Sequence, residues 1–462
     1  MDPAGCKIRG ESMKEQKKTD VSFSNRDLRK LIIPLVIEQL LAITVGLCDS
    51  IMVSHVGEAA MSAVSLVDTV NVLLINAFGA LATGGAVIVG QYMGRKEAEK
   101  AGHSGAQLLL FMGEVSLLIM ALIYLAKGFI LGVVFGEVEP DVAAYANTYY
   151  IIVQASIPFL ALYSACAALF QVMGNSKLSM YISAMMNLIN IVGNAVLIFG
   201  LRMGVEGVAI PTLVSRAVAA AVGLILLYRP GLPLRIERVT WKHDRYVVRN
   251  ILRIGVPNGL ESSMFQLGKI LLLSTVSVFG TAAVAANAVG NMVATFQCIP
   301  GLAIGLAMVT VVSRCVGAGN YEQARFYTKK LLKYTYVLMG VAVLITLVFL
   351  PFILRLYSVS EEAETCAIQL VWLHGVLGAV FWPLSFTLPQ ALRAAGDTRF
   401  TMVSGTVSMW TLRVGFGILL GRFWGMGVLG VWIAMCVDWL LRVALFIIRF
   451  RGHKWESMGI RE

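Results

Sequence analysis

Six carboxylates interrupt otherwise apolar runs of the chain: Glu38, Asp49, Asp68, Glu114, Glu261 and Asp438. A carboxylate inside such a run takes up and releases a proton, or offers oxygen to a hard cation. Glu38 and Asp49 are eleven residues apart. On a helix that spacing brings them to nearly the same face, about 16 Å apart along the axis. Asn190 and Asn194 stand one helical turn apart, and Thr212 follows the helix-bending Pro211. Their amide and hydroxyl oxygens are also ligands a hard cation accepts. Glu261 follows Pro257 by four residues, as Glu38 follows Pro34. A proline inside a helix frees a backbone carbonyl that needs polar surroundings, so Glu38 and Glu261 read as lining a polar cleft that attracts a positively charged ligand. Lys269, Arg413 and Arg216 are basic residues in the same kind of run, either counter-ions to these carboxylates or contacts for an anionic head group. Asp438 and Arg442, spaced i, i+4, most simply neutralise each other.

The elements that must position these residues follow from composition. Of 462 residues 58% are hydrophobic and 14% charged, with a mean hydropathy of +0.76. A soluble domain has about 45–50% apolar and about 25% charged residues, so a soluble enzyme and a disordered chain are both excluded. Runs long enough to cross a bilayer as helices number twelve: 28–54, 61–91, 104–126, 142–170, 178–200, 205–228, 250–278, 283–313, 329–354, 365–391, 399–421 and 425–449. The first thirty residues carry eight Lys and Arg and no apolar core, unlike a cleavable signal peptide. Thirty Lys and Arg lie in the termini and the loops sharing their side; the opposite loops hold only Lys127, Arg202, Arg355 and Arg422. The positive-inside rule then predicts a multi-pass protein of the cytoplasmic membrane with both termini in the cytoplasm. The net charge of +11 is thereby a topology signal and not a nucleic-acid footprint. Seven scattered cysteines without a C-x-x-C give no disulfide framework and no zinc site. The absence of a G-x-x-x-x-G-K-[ST] motif leaves an ion gradient as the energy source for any pumping.

The chain also matches itself. Offset by 223 residues, Pro34, Glu38, Gly57, Ala59, Ala60, Ala63, Gly94, Glu99 and Ala101 fall on Pro257, Glu261, Gly280, Ala282, Ala283, Ala286, Gly317, Glu322 and Ala324. Two six-helix halves pointing the same way make a parallel repeat of the kind that rocks about a central cleft in secondary transporters. The predicted organisation is a cytoplasmic segment 1–27, a first lobe 28–228, a linker 229–249, a second lobe 250–449 and a tail 450–462. The fold class is all-α: twelve transmembrane helices in two pseudo-symmetric bundles, V-shaped around the cleft.

Several stretches carry a family likeness: P-L-V-I-E-Q-L-L-A-I-T-V-G-L-C-D-S-I-M-V-S-H-V-G from Pro34, N-L-I-N-I-V-G-N-A-V-L-I-F-G over 187–200, G-V-E-G-V-A-I-P-T over 204–212 and I-G-V-P-N-G-L-E over 254–261. In their order and spacing these resemble the multidrug and toxic compound extrusion (MATE) family, in its DinF-like branch. The resemblance implies cation-coupled antiport of amphipathic organic cations and other xenobiotics, driven by H⁺ or Na⁺. It matches Asp49 to the family's coupling carboxylate on the first helix, and Asn190, Asn194 and Thr212 to its cation site. Asn194 stands where the related site has Asp, which removes one negative charge. A Na⁺ ion held at these four residues is the only bound ion implied; no other cofactor, no nucleic acid and no second subunit is expected. The same superfamily contains flippases for lipid-linked substrates, an alternative that Lys269 and Arg413 support. A polytopic membrane enzyme fits less well, because no nucleophile–base pairing, metal cluster or long catalytic loop is legible.

Overall fold

A computed structural model of the chain describes residues 22–136, 138–236, 242–357 and 359–460. The basic residues Lys7, Arg9, Lys14, Lys17, Lys18, Arg238 and Arg461 lie outside them. The described residues form helices and connecting turns. The long ones, numbered as twelve spans, are α1 (Asn25–Ser54), α2 (Glu58–Gly94), α3 (Ala98–Leu125), α4 (Pro140–Gln154 with Ile157–Val172), α5 (Ser176–Gly200), α6 (Glu206–Leu227), α7 (Arg245–Ser277), α8 (Thr281–Gly317), α9 (Tyr321–Val348), α10 (Glu361–Ala394), α11 (Thr398–Phe423) and α12 (Gly427–Arg451). Ten of these are by themselves long and apolar enough to cross a membrane, and α4 becomes the eleventh when its two parts are taken together. The remaining helix, α7, opens on Arg245, Arg249 and Arg253 and occupies the place in the second half that α1 holds in the first.

Local chemistry sets the helix starts. Ser24 and Asp27 cap α1 reciprocally, Asp27 N donating to Ser24 Oγ (3.2 Å) and Ser24 N to Asp27 Oδ2 (3.0 Å). Asp244 accepts from Tyr246 N and Val247 N, so α7 begins five residues before its apolar run. The α4 span is not straight: it bends by 46° where Ala155 and Ser156 separate its two parts.

Burial defines the cleft. At the end opposite the termini, one core cluster is built wholly from the first half (Met52, Val53, Tyr149, Tyr150, Val208) and another wholly from the second (Leu272, Val276, Val289, Trp432, Trp439). At the end carrying the termini the halves interlock. Leu28, Leu31, Ile32 and Leu35 of α1 pack with Met308, Val311, Val312 and Cys315 of α8, and Val247, Ile251 and Ile254 of α7 pack into the first-half core. Each half thus lends the opening turns of its first helix to the other. The molecule is a V closed at this basic end and open at the opposite one.

Glycines make the closure tight. A Cβ on Gly84 would stand 2.8 Å from Gly255 N, one on Gly94 2.0 Å from Arg314 O, and one on Gly317 1.9 Å from Gln91 O. Gln91, fully buried, bonds across the seam from its amide nitrogen to Ala394 O (2.9 Å) and accepts from Ile460 N (2.9 Å). Ile460 itself sits in the first-half core, although the tail leaves from α12. The tail therefore staples the seam. Replacing Gln91 by Leu strands a buried carbonyl and a buried N–H, a penalty of about 1–3 kcal/mol each. The expected result is a wider separation of spin labels on Glu99 and Glu322, two exposed positions flanking the seam. An unchanged distance distribution would count against the staple.

Candidate functional site

In the first half, the residues that the sequence singles out come together. Asn194 Nδ2 donates to Asp49 Oδ1 (2.7 Å) and lies 3.4 Å from Asn190 Oδ1. Asn190 Nδ2 donates to Thr212 Oγ1 (3.1 Å), which in turn bonds Val208 O (2.9 Å). Three helices, α1, α5 and α6, thereby meet on one polar chain. The meeting is possible because Gly193, between the two asparagines, lets Pro211 of α6 approach: a Cβ there would lie 2.7 Å from the proline ring. Directly after Asn194 the helix widens into a π-helical turn over Val196–Gly200, a feature that often accompanies functional sites. Asn190 and Asn194 are buried while Asp49 and Thr212 are half-buried. Asn194 Oδ1 is buried with no hydrogen-bond partner among the described residues, an open acceptor beside Asp49.

A second acidic group, not included in that set by sequence, adjoins it. Asp68 Oδ1 accepts from Asn71 Nδ2 (2.9 Å) and from Tyr149 Oη (3.3 Å), and Gln154 Nε2 reaches Asn71 Oδ1 (3.1 Å). Arg216 donates to Ser156 Oγ (2.7 Å) at the break in α4, and its charge acts on Tyr149, Asp68 and Asp49. Arg216 is accordingly a shared counter-charge for both carboxylates. The signal in the sequence was the run of polar residues Tyr149, Gln154 and Ser156 within one apolar segment, the last of them at the break in α4.

The other candidates are placed separately. Glu38 is half-buried on α1, its two carboxylate oxygens sharing the single proton of Ser179 Oγ (2.9 and 3.1 Å), and Gln171 Nε2 donates to the same hydroxyl (3.2 Å). Among the described residues it has no cationic partner. Its repeat partner Glu261 is buried and pairs with Arg393 Nη2 at 2.7 Å, the two side chains being only 10% and 11% exposed. Arg393 was assigned to a loop by sequence; it lies in α10, near the end of the helix. Gly405 of α11 makes room for this pair, since a Cβ there would stand 2.5 Å from Glu261 Oε1. Lys269 and Arg413 line a cavity of about 230 Å³ between α7, α8, α11 and α12. Arg413 lies in a π-helical stretch, Met409–Phe416.

Asp438 and Arg442 pair as their spacing implies, at 3.0 Å and almost fully buried. Ser408 Oγ donates to Asp438 and accepts from Arg442 Nε, whose guanidinium also donates to Gly405 O (2.8 Å). Removing one partner of a buried ion pair strands the other charge, at about 3–5 kcal/mol. Arg442→Met is therefore expected to lower the thermal midpoint of the detergent-solubilised protein, with Asp438→Asn/Arg442→Met recovering part of the loss. A midpoint unmoved by Arg442→Met would rule out this brace. A larger cavity, about 860 Å³, opens at the basic end beside Arg249, Arg253 and Arg399, outside the cleft.

Comparisons with known proteins agree with this architecture. The MatE family model matches twice, over residues 34–196 and 257–419, the two matches beginning 223 residues apart as the internal repeat does. The Bacillus subtilis protein called uncharacterized transporter YisQ is 27% identical over 96% of this chain and 97% of its own length. The probable multidrug resistance protein NorM of Thermotoga maritima is 25% identical over 96% of each. A solved structure described as an outward-facing multidrug resistance MATE family transporter of the MOP superfamily superposes with a TM-score of 0.86 at 19% identity, covering 94% of this chain and 98% of that one. That likeness carries the fold alone. A family match over both halves, with the twofold repeat and the cleft between them, makes the conclusion direct: the chain belongs to the MatE family of multidrug and toxic compound efflux transporters, and is a multi-pass membrane transporter, not an enzyme.

Proposed function

We propose that this transporter is a proton-driven antiporter that exports amphipathic compounds bearing a positive group. The observation that supports this most is the bonded set Asp49, Asn194, Asn190 and Thr212, in which Asp49 is the one carboxylate. The one carboxylate of this set, sharing the Arg216 counter-charge with the adjoining Asp68, exchanges one proton per cycle, whereas firm Na⁺ binding calls for more ligands or more net negative charge. Protonated, Asp49 makes a weaker acceptor for Asn194 and loosens the joint between α1 and α5. Deprotonated, it restores both the joint and a negative charge near the cleft. That gives the two access states different affinities for the proton, which coupling requires. Glu38, held by a hydroxyl and no cation, supplies attraction for the positive group of the exported compound. The excess of basic residues at the closed end supports, through the positive-inside rule, a cytoplasmic position for that end and the termini, with the V opening outward.

Proteoliposomes given ΔpH or ΔNa⁺ one at a time test this reading. Uphill movement of amphipathic dyes with ΔpH alone is expected; movement that needs ΔNa⁺ and ignores ΔpH would overturn it. Asn194→Asp adds a second carboxylate beside Asp49 and is expected to raise Na⁺ dependence, read as dye export against external Na⁺ at constant pH. A Na⁺ response no different from wild type would count against a cation site at these residues.

A further inference from the structure

The two halves share a fold but not a charge. In the ungapped register of the repeat, Asp49 of the first half corresponds to Leu272 of the second, Asp68 to Asn291, and Gly46 to Lys269. Both carboxylates of the first-half cluster are thus replaced by uncharged residues, and a cation is added at a position where the first half has no side chain. Arg413 is the second cation on the same cavity. Among the described residues neither Lys269 nor Arg413 has a carboxylate within ion-pair distance, and Asp438, whose charge acts on Arg413, is already paired with Arg442. Arg413 spends its donors poorly. One nitrogen rests on Met435 Sδ (2.9 Å), the guanidinium stands 5.1 Å from the Phe265 ring, and Nε is buried with no hydrogen-bond partner among the described residues. Two neighbouring like charges at membrane depth, unneutralised, are a large cost that a protein keeps for a ligand. Around them the cavity offers the neutral donors and acceptors Gln266, Asn291 and Thr295, and the face of Trp432. A guanidinium and an ammonium converging on one space suit a carboxylate, sulfonate or phosphate.

We infer that the second-half cavity is an anion site, which binds the negatively charged group of an amphipathic ligand through Lys269 and Arg413. Its size fits one end of such a ligand: at about 230 Å³ it is smaller than the roughly 300–1,000 Å³ pockets that enclose a whole drug-sized molecule. The inference deepens the export reading of the cleft and rests on it for the ligand's passage, though not for its binding. Taken together with Glu38 of the first half as the attraction for a positive group, it makes the preferred cargo zwitterionic: a positive group toward the first half and an anionic group toward the second. A soluble amphipath and an anionic membrane lipid present the same chemistry here.

Rhodamine B, whose free carboxylate accompanies a cationic dye, and its ethyl ester, which lacks the carboxylate, separate the possibilities. Binding of each to the full-length protein in nanodiscs is followed by fluorescence polarisation. Wild type is expected to bind the acid about tenfold or more tighter than the ester, as one charge-assisted contact implies. Lys269→Gln and Arg413→Gln should each erase most of that preference while leaving ester affinity in place, which also shows that the variants are folded. Lys269→Arg should keep it. Asp49→Asn should keep it too, so a failure of proton coupling and a failure of the anion site are told apart. Nanodiscs of phosphatidylglycerol in place of phosphatidylcholine should leave acid affinity unchanged for a soluble cargo and depress it, in wild type but not in Lys269→Gln, for a lipid occupant; either supports an anion site. Equal affinity for acid and ester in wild type, or a preference that survives both Gln variants, would overturn it.

Discussion

Asp49→Asn is expected to abolish gradient-driven export while leaving dye binding within about threefold of wild type, because the substitution keeps the shape of the side chain and removes only its ability to ionise. Asparagine can still accept from Asn194 Nδ2, so the α1–α5 contact at 2.7 Å has a neutral substitute. Without a group that changes charge between the two access states, however, a proton gradient has nothing to act on, and dye movement should fall to passive equilibration. Asp68→Asn is expected to have a smaller effect. Asp68 is bonded by Asn71 and Tyr149, and shares Arg216 with Asp49, so its loss shifts the pH dependence of transport without ending it. Uphill export by Asp49→Asn at the wild-type rate would move coupling elsewhere. Glu261 would be the next carboxylate to test, despite its ion pair with Arg393.

The second large effect concerns the seam. Gly94 and Gly317 are repeat equivalents, and each lies against the backbone of the other half's long helix: Gly94 against Arg314 O, Gly317 against Gln91 O. A methyl group at either position overlaps a main-chain oxygen that has no rotamer to escape by. Overpacking of this kind costs about 1–3 kcal/mol, and here all of it falls on the state in which the basic end is shut. Gly317→Ala should therefore shift the population toward opening at that end by roughly tenfold, 1.4 kcal/mol being a factor of ten, and slow turnover correspondingly. The double variant Gly94→Ala/Gly317→Ala should do so more strongly. Thiol labelling of a cysteine placed at Ser183, buried between the helices of the first half, reports the change as faster reaction from the basic side. Labelling as slow as in the parent would contradict a glycine-dependent closure.

Much of this molecule is legible in its sequence because bilayer-spanning helices announce themselves by length and apolarity. A helix stands at each of the twelve spans read from the sequence, eleven of them long and apolar enough to cross a membrane once the two parts of α4 are taken together, and the repeat at 223 residues foretold the doubled architecture that the family match also shows. What could not be read is of two kinds. The long reach of α2 and α8, at 37 residues each, depends on Gly94 and Gly317 meeting backbone across the seam, a contact between distant segments that leaves only single glycines in the sequence. Partners were equally hidden. Nothing in the spacing links Glu261 to Arg393 or Arg216 to Ser156, because in each pair the residues lie far apart in sequence and the bend in α4 sets the second. By contrast Asp438 with Arg442, one turn apart on a single helix, needed no tertiary knowledge. The candidate coupling set falls between these cases. Asn190 and Asn194 share a helix face by spacing alone, but Asp49 and Thr212 joined them through a family likeness, and their contacts depend on Gly193 admitting Pro211.

In the proposed cycle the coupling proton resides on Asp49 and competes with the exported compound through the two access states. Linkage makes this reciprocal: if protonation of Asp49 weakens binding of the compound, binding of the compound must expel the proton. The measurement is proton release on adding rhodamine B to the detergent-solubilised protein in weakly buffered solution near neutral pH. Wild type is expected to release protons in proportion to dye bound, and Asp49→Asn to bind the dye and release none. Equal release from both proteins, or binding by wild type with no release across the pH range in which it transports, would contradict a coupling proton on Asp49.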